Sequence, residues 1–191
     1  MLLFIPMPSS NARPWYREPG SFIAIAALIV SVTAVAVGIY EAALQRRHDR
    51  AEVWPRLELQ TFVSDDGAVL RVENTGLGPA LVRYVSVKVD GKPERSWPAA
   101  MHDLFGGPPP PFSTSTVFGH AVRPGDRTIL AGLPPKAVPP NYFKWIGRVA
   151  MQVCYASVFD DEYWMVSDTF GKSSVWHQVS SCPNQSPDAD L

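Results

Sequence analysis

The side chains of this chain that could carry chemistry are four histidines, two cysteines and a short acidic run. His48, His102, His120 and His177 are scattered, and no two stand at the spacing that puts a pair of imidazoles on one helical face for a metal. No Gly-x-Ser-x-Gly elbow is present to expose a serine nucleophile. Cys154 lies in the middle of an apolar, alternating stretch, where a thiol is buried and inert rather than activated. Asp160, Asp161, Glu162 and Asp168 offer the oxygens that calcium takes, but not at the spacing of a calcium loop, and an acidic hairpin tip is stable in water without an ion.

Two glycine motifs fail on inspection. Gly171-Lys172-Ser173 matches the end of a phosphate-binding loop, which needs a glycine five residues before the Gly-Lys pair; Val166 stands there. Gly76-Leu77-Gly78 lacks a third glycine and opens no helix, so it is turn chemistry and not a dinucleotide site. Asn184-Gln185-Ser186 matches a glycosylation acceptor, a triplet common by chance. The expectation is no catalytic, cofactor-binding or metal residue: not an enzyme. Cys154 and Cys182 leave two readings open. In an oxidising compartment they pair and stabilise the fold by about 3–4 kcal/mol; in the cytosol they stay thiols.

The elements that would position any site begin with an anchor. The stretch 22–40, FIAIAALIVSVTAVAVGIY, carries no charge. As a helix it is about 28 Å long, the hydrocarbon thickness of a bilayer. Ser31 and Thr33 bond to their own helix backbone and do not spoil it. Charge returns at Arg13, Arg17 and Glu18 on one side and at Glu41, Arg46, Arg47, Asp49 and Arg50 on the other; Trp15, Tyr16 and Tyr40 suit the interfaces. Ala34-Val35-Ala36 fits a signal-peptide cleavage pattern, yet the apolar run continues past it and an acidic residue precedes it, which favours a retained anchor. Ala27/Ser31 and Ala34/Gly38 permit close helix packing, a spacing that alanine-rich spans contain by chance. Arg46 and Arg47 read as snorkelling flank charges. The expected division is a tail at 1–20, a transmembrane helix at 21–44 and a helical stalk at 45–54. A β-domain follows at 55–182, and a disordered tail at 183–191.

After Trp54-Pro55 the period changes to two. Strands are expected at 56–63 and 68–73 around the turn Ser64-Asp65-Asp66-Gly67, and at 81–90, closed by Asp90-Gly91. A short helix at 99–105 precedes the proline run GGPPPP at 106–111, a surface loop. Pro124-Gly125-Asp126 turns into a strand at 128–130, and 134–140 is an irregular link. The stretch 148–159 is apolar on both faces, as a central strand is; strands at 163–167 and 174–179 follow. The 19 prolines suit short strands joined by turns. About seven such strands describe a mainly β fold, an immunoglobulin-like β-sandwich. The net charge of −1 and a charged fraction of 18% argue against nucleic acid as a partner.

Three stretches carry a resemblance. They are Tyr40-Glu41-Ala42-Ala43-Leu44 running to Trp54-Pro55-Arg56-Leu57-Glu58, Asn74-Thr75-Gly76-Leu77-Gly78-Pro79-Ala80 running to Val89-Asp90-Gly91-Lys92-Pro93, and Cys154-Tyr155-Ala156-Ser157-Val158-Phe159. Together, over 40–165, they resemble an uncharacterised group of bacterial single-pass membrane-anchored proteins with a small β-domain. The resemblance implies a bacterial inner membrane and brings no activity with it. It also implies that cysteines of the group stand where this chain has Ala156 and Tyr163, which leaves Cys154 to pair with Cys182.

The expected function is a membrane-tethered module for binding or assembly. Its partners are the lipid bilayer and another protein or a second copy of itself. One alternative is a membrane-associated hydrolase, which needs a cavity joining a histidine to an acid. Another is a sensor subunit signalling through its helix. The side of the membrane is contested. Arg46, Arg47, Arg50 and Arg56 after the span, against Arg13 and Arg17 before it, point the β-domain to the cytoplasm. The β-rich composition and the option of a disulfide tip the expectation to the periplasm.

Overall fold

The computed structural model describes residues 19–160, 162–170, 174–185 and 191. The chain divides into two compact units, 1–49 and 50–191.

One helix, α1, runs without a break over Pro19–Glu52. Its apolar stretch has a mean hydropathy of 2.7, is unburied by protein, and is long and apolar enough to cross a membrane. Ser31 Oγ donates to the Ala27 carbonyl at 2.8 Å and Thr33 Oγ1 to that of Ile29 at 2.8 Å, which satisfies both hydroxyls inside the helix.

The second unit is a pair of antiparallel sheets over one core. The first sheet has the order β1-β2-β7-β5, from β1 (Leu57–Ser64), β2 (Gly67–Asn74), β5 (Ser113–Thr114) and β7 (Arg127–Leu133). The second has the order β10-β9-β8-β3-β4, with β6 (Ala121–Val122) also on β3. Its other members are β3 (Ala80–Val89), β4 (Lys92–Glu94), β8 (Val149–Ala156), β9 (Tyr163–Thr169) and β10 (Val175–Val179). Leu57, Leu70, Val72 and Leu130 of the first sheet and Val85, Val87, Val153 and Val166 of the second are buried in one cluster. The alternation that buries one face of β2 and of β3 is what the sequence period demanded. At the β1–β2 turn Gly67 takes φ 126°, and a Cβ there would meet the Leu133 carbonyl at 2.1 Å. At the β3–β4 turn Asp90 and Gly91 both take positive φ, 50° and 82°, as a two-residue hairpin requires.

Helix α2 (Trp97–Phe105) starts two residues earlier than the sequence reading, because Ser96 Oγ accepts the Ala99 N–H as an N-cap and Pro98 suits the first turn; Gly106 ends it in the left-handed region. A second short helix, α3 (Tyr142–Ile146), lies between the 134–140 link and the strand that follows, where the sequence reading assigned no element.

Two side chains of the second sheet close an edge of the first. Leu57 N donates to the Tyr155 hydroxyl at 3.3 Å, and Trp176 Nε1 donates to the Leu57 carbonyl at 2.7 Å. The outer edge of β3 is filled in sequence along its length. β6 pairs at Ala80 and Leu81. Val82 exchanges bonds with the backbone of Gly119 and His120, Val85 N donates to Gln185 Oε1 at 2.9 Å, and β4 pairs from Val87 to Val89.

Of the 183–191 tail, expected to be disordered, the described residues are 183–185 and 191, and two of them have partners in the β-domain. Gln185 makes that bond to β3, Leu191 is 3% exposed within the core cluster, and Thr116 Oγ1 donates to the Leu191 carbonyl. The chain is polar there, but one amide and one leucine find specific partners. Of the two open readings of the cysteines, the structure has the disulfide: Cys154 and Cys182 are bonded, with Cα atoms 5.7 Å apart.

Candidate binding groove

A register shift places Arg83 apart from its neighbours. Val82 pairs with Tyr155 and Tyr84 with Cys154, so Arg83 is the extra residue of a β-bulge. Bulges re-aim a side chain that the regular alternation would fix. The Arg83 guanidinium reaches Asp160 Oδ2 at 3.1 Å, and both side chains are about half exposed, 47% and 49%. Such a pair holds by less than about 1 kcal/mol and can be exchanged for a ligand group.

Asp160 sits in the β8–β9 turn at φ 51°. The turn is held by its own bonds: Asp160 N to the Ser157 carbonyl at 3.0 Å, Phe159 N to Ser157 Oγ at 3.2 Å, and the Tyr163 hydroxyl to the Asp160 carbonyl at 3.1 Å. A second loop carries Phe118. Val117 anchors it in the core at 1% exposure, and Gly119 N fastens it to the Val82 carbonyl at 3.2 Å. The third wall is the segment 181–185, fixed by the disulfide and by Gln185. Together these elements line an open surface groove of about 610 Å³, formed by Arg83, Phe118, Asp160, Tyr163 and residues 181–185. It offers two aromatic rings, a guanidinium, a carboxylate and the amides of Asn184 and Gln185. That set can stack and hydrogen-bond an extended polar segment.

The sequence-flagged residues fall in different places. His48 is exposed on α1 and His177 on β10, the edge strand. His120 contributes its carbonyl to Val82 N. Asp160 lies in the groove, whereas Asp168 is buried on β9, where Ser174 Oγ donates to its Oδ2 at 2.6 Å and Oδ1 has no hydrogen-bond partner among the described residues. Burial pushes the Asp168 carboxyl above the usual range. Asp161, Gly171-Lys172-Ser173 and Ser186 lie outside the described residues. Among the described residues no three His, Cys, Asp or Glu gather as metal donors.

His102 belongs to a charged cluster at the far end of β3. Lys92 Nζ bonds Asp103 Oδ2 at 2.8 Å, His102 Nδ1 stands 3.5 Å from Asp103 Oδ1, and Arg148 clamps Asp90 through Nε and Nη2 while Nη1 donates to the Leu104 carbonyl at 3.0 Å. The Lys92 bond holds the Asp103 carboxyl below the usual range, and burial pushes that of neighbouring Glu94 above it. These bonds tie α2 to the β3–β4 hairpin and to Arg148.

The groove itself could not be found by motif. Arg83 reads in sequence as one more residue of a strand, and nothing in the spacing marks the bulge. Comparison of the chain with known protein families, curated proteins and solved structures returns no match.

Proposed function

We propose that this chain is a membrane-tethered binding module of a bacterial inner membrane, whose β-domain takes a segment of a protein partner in the Arg83 groove. The observation that carries the reading is the bulge that turns Arg83 out of β3 into an open groove lined by two aromatic rings. In this reading the domain works as immunoglobulin-like sandwiches do, by offering the loops at one pole of the sheets. The apolar span of α1 supports the tether. The disulfide supports the periplasmic side, since such bonds persist in oxidising compartments.

A photo-crosslinking amino acid at Phe118 in the full chain, irradiated in native membranes, tests the reading. It should yield a discrete higher-mass adduct that Arg83→Glu abolishes, while the same label at Lys88 gives none. No adduct from position 118, or equal adducts from both positions, would sink it.

A further inference from the structure

The face of the second sheet that points away from the core changes character along its length. Ser86, Gln152 and Ser167 form one cross-strand row, and all are partly exposed. The next row is Tyr84, Cys154 and Met165; here Cys154 is 0% exposed and Met165 7%. The first row is polar and the second apolar. Cys182 bonds to the second row and Gln185 reaches the edge of β3 beyond it. The same segment, 181–185, is a wall of the groove.

We propose that oxidation of Cys154 and Cys182 assembles the groove: the disulfide-bonded chain binds its partner there and the reduced chain does not. This rests on the reading of the groove as the partner site. Without the disulfide, the hold on 181–185 among the described residues is one side-chain hydrogen bond, the β10 ladder that ends at Val179, and the burial of Leu191 farther along. Against it stands the conformational entropy of ordering each residue of the segment. Release of the segment removes one wall and frees the Val85 N–H.

The opening step is thiol–disulfide exchange with a dithiol. Its thiolate attacks Sγ of Cys182, the partly exposed member of the pair, and the S–S electron pair leaves on Cys154 Sγ, which takes a proton. The second thiol of the reductant then closes its own disulfide and releases Cys182 as a thiol. Closure is the reverse, with a disulfide as the oxidant. Cys154 is a buried leaving group, so opening is slow and closure on the oxidising side is lasting.

The test uses the full chain in membranes, before and after treatment with dithiothreitol, with Cys182→Ser as a second route to the open state. Two quantities are read: exchange of the Val85 amide, and the crosslink from position 118. Val85 exchange should accelerate roughly tenfold or more, and the crosslink should disappear, in both the reduced chain and the variant. A Val85 amide that stays slow, or a crosslink that survives reduction, overturns the inference and leaves the binding site standing. An oxidised chain that never crosslinks removes the site itself, and the inference with it.

Discussion

Gly78 packs against Val53 so closely that a Cβ at position 78 would stand 1.8 Å from the Val53 carbonyl oxygen. Gly76 is nearly as tight, with a Cβ 2.3 Å from Arg56 N. The loop and the incoming chain are also bonded, Leu77 N to the Trp54 carbonyl at 2.9 Å and Thr75 N to that of Arg56 at 2.8 Å. Neither contact is to the tip of a flexible side chain, so neither can yield cheaply. Gly78→Ala should destabilise the β-domain by about 2–4 kcal/mol, read as a shift in the denaturant midpoint. An unchanged midpoint would mean that residues 53–56 are not held by this loop.

Asn74 organises the same place from within. It is fully buried, and its side chain donates to the Gly78 and Val122 carbonyls at 2.8 and 2.9 Å while accepting from the N–H groups of Arg56 and Gly76 at 3.2 and 3.0 Å. Asn74→Asp should cost more than Asn74→Ser, because a carboxylate can donate to neither carbonyl and leaves both unsatisfied in the interior, a loss of about 3 kcal/mol or more. Chemical denaturation of the two variants side by side decides it.

Tyr155 should ionise late. Burial pushes its hydroxyl up to about 12. Absorbance at the phenolate band during an alkaline titration should show Tyr155 lagging the exposed tyrosines, with Tyr142 also displaced upward by burial, and Tyr155→Phe should remove its share of the late signal. The same variant leaves the Leu57 N–H without its partner and should lose about 1–2 kcal/mol of stability.

The buried carboxyl of Asp168 predicts a pH dependence of definite sign. Its folded value is raised by burial, so the folded state favours the proton. Its contribution to stability is present below the unfolded carboxylate range and lost as pH rises through the folded value. Asp168→Asn has no charge to bury. The variant should therefore gain on the wild type as pH rises from 4 to 8, and unfolding midpoints across that window that stay parallel would show that Asp168 does not carry this linkage.

For the proposed tethered chain, the thiols report the side of the membrane. A membrane-impermeant maleimide applied to intact cells should label Cys154 and Cys182 only after reduction. Labelling that needs permeabilised cells but no reductant would place the domain in the cytoplasm, as the arginine asymmetry suggests.

The long alternating strands were legible in sequence because each carries enough residues for a period of two to be seen. Leu57 to Ser64, Gly67 to Asn74 and Ala80 to Val89 lie within a residue or two of the ranges their patterns predict. Strands β4, β5 and β6 are two or three residues long, too short to show any period, and they were missed. The stretch around Cys154 was read as a central strand because both of its faces are apolar. It is central, between β3 and β9, but the second apolar face is covered at Cys154 by the chain's own tail. A single cysteine and a single glutamine have no periodicity to reveal that role. The groove was illegible for a related reason: a bulge is a property of pairing between two strands, and the residues around Arg83 look the same with or without it.

The filled edge of β3 bears on how the domain behaves at high concentration. A sheet grows by accretion when a bare strand edge meets another, and crowded chains meet often. Along β3 each open length is taken up in turn by β6, by loop backbone, by the Gln185 amide and by β4 with Pro93 on it. That flank offers a neighbour no ladder to extend, so the domains can crowd side by side there without fusing into a fibre.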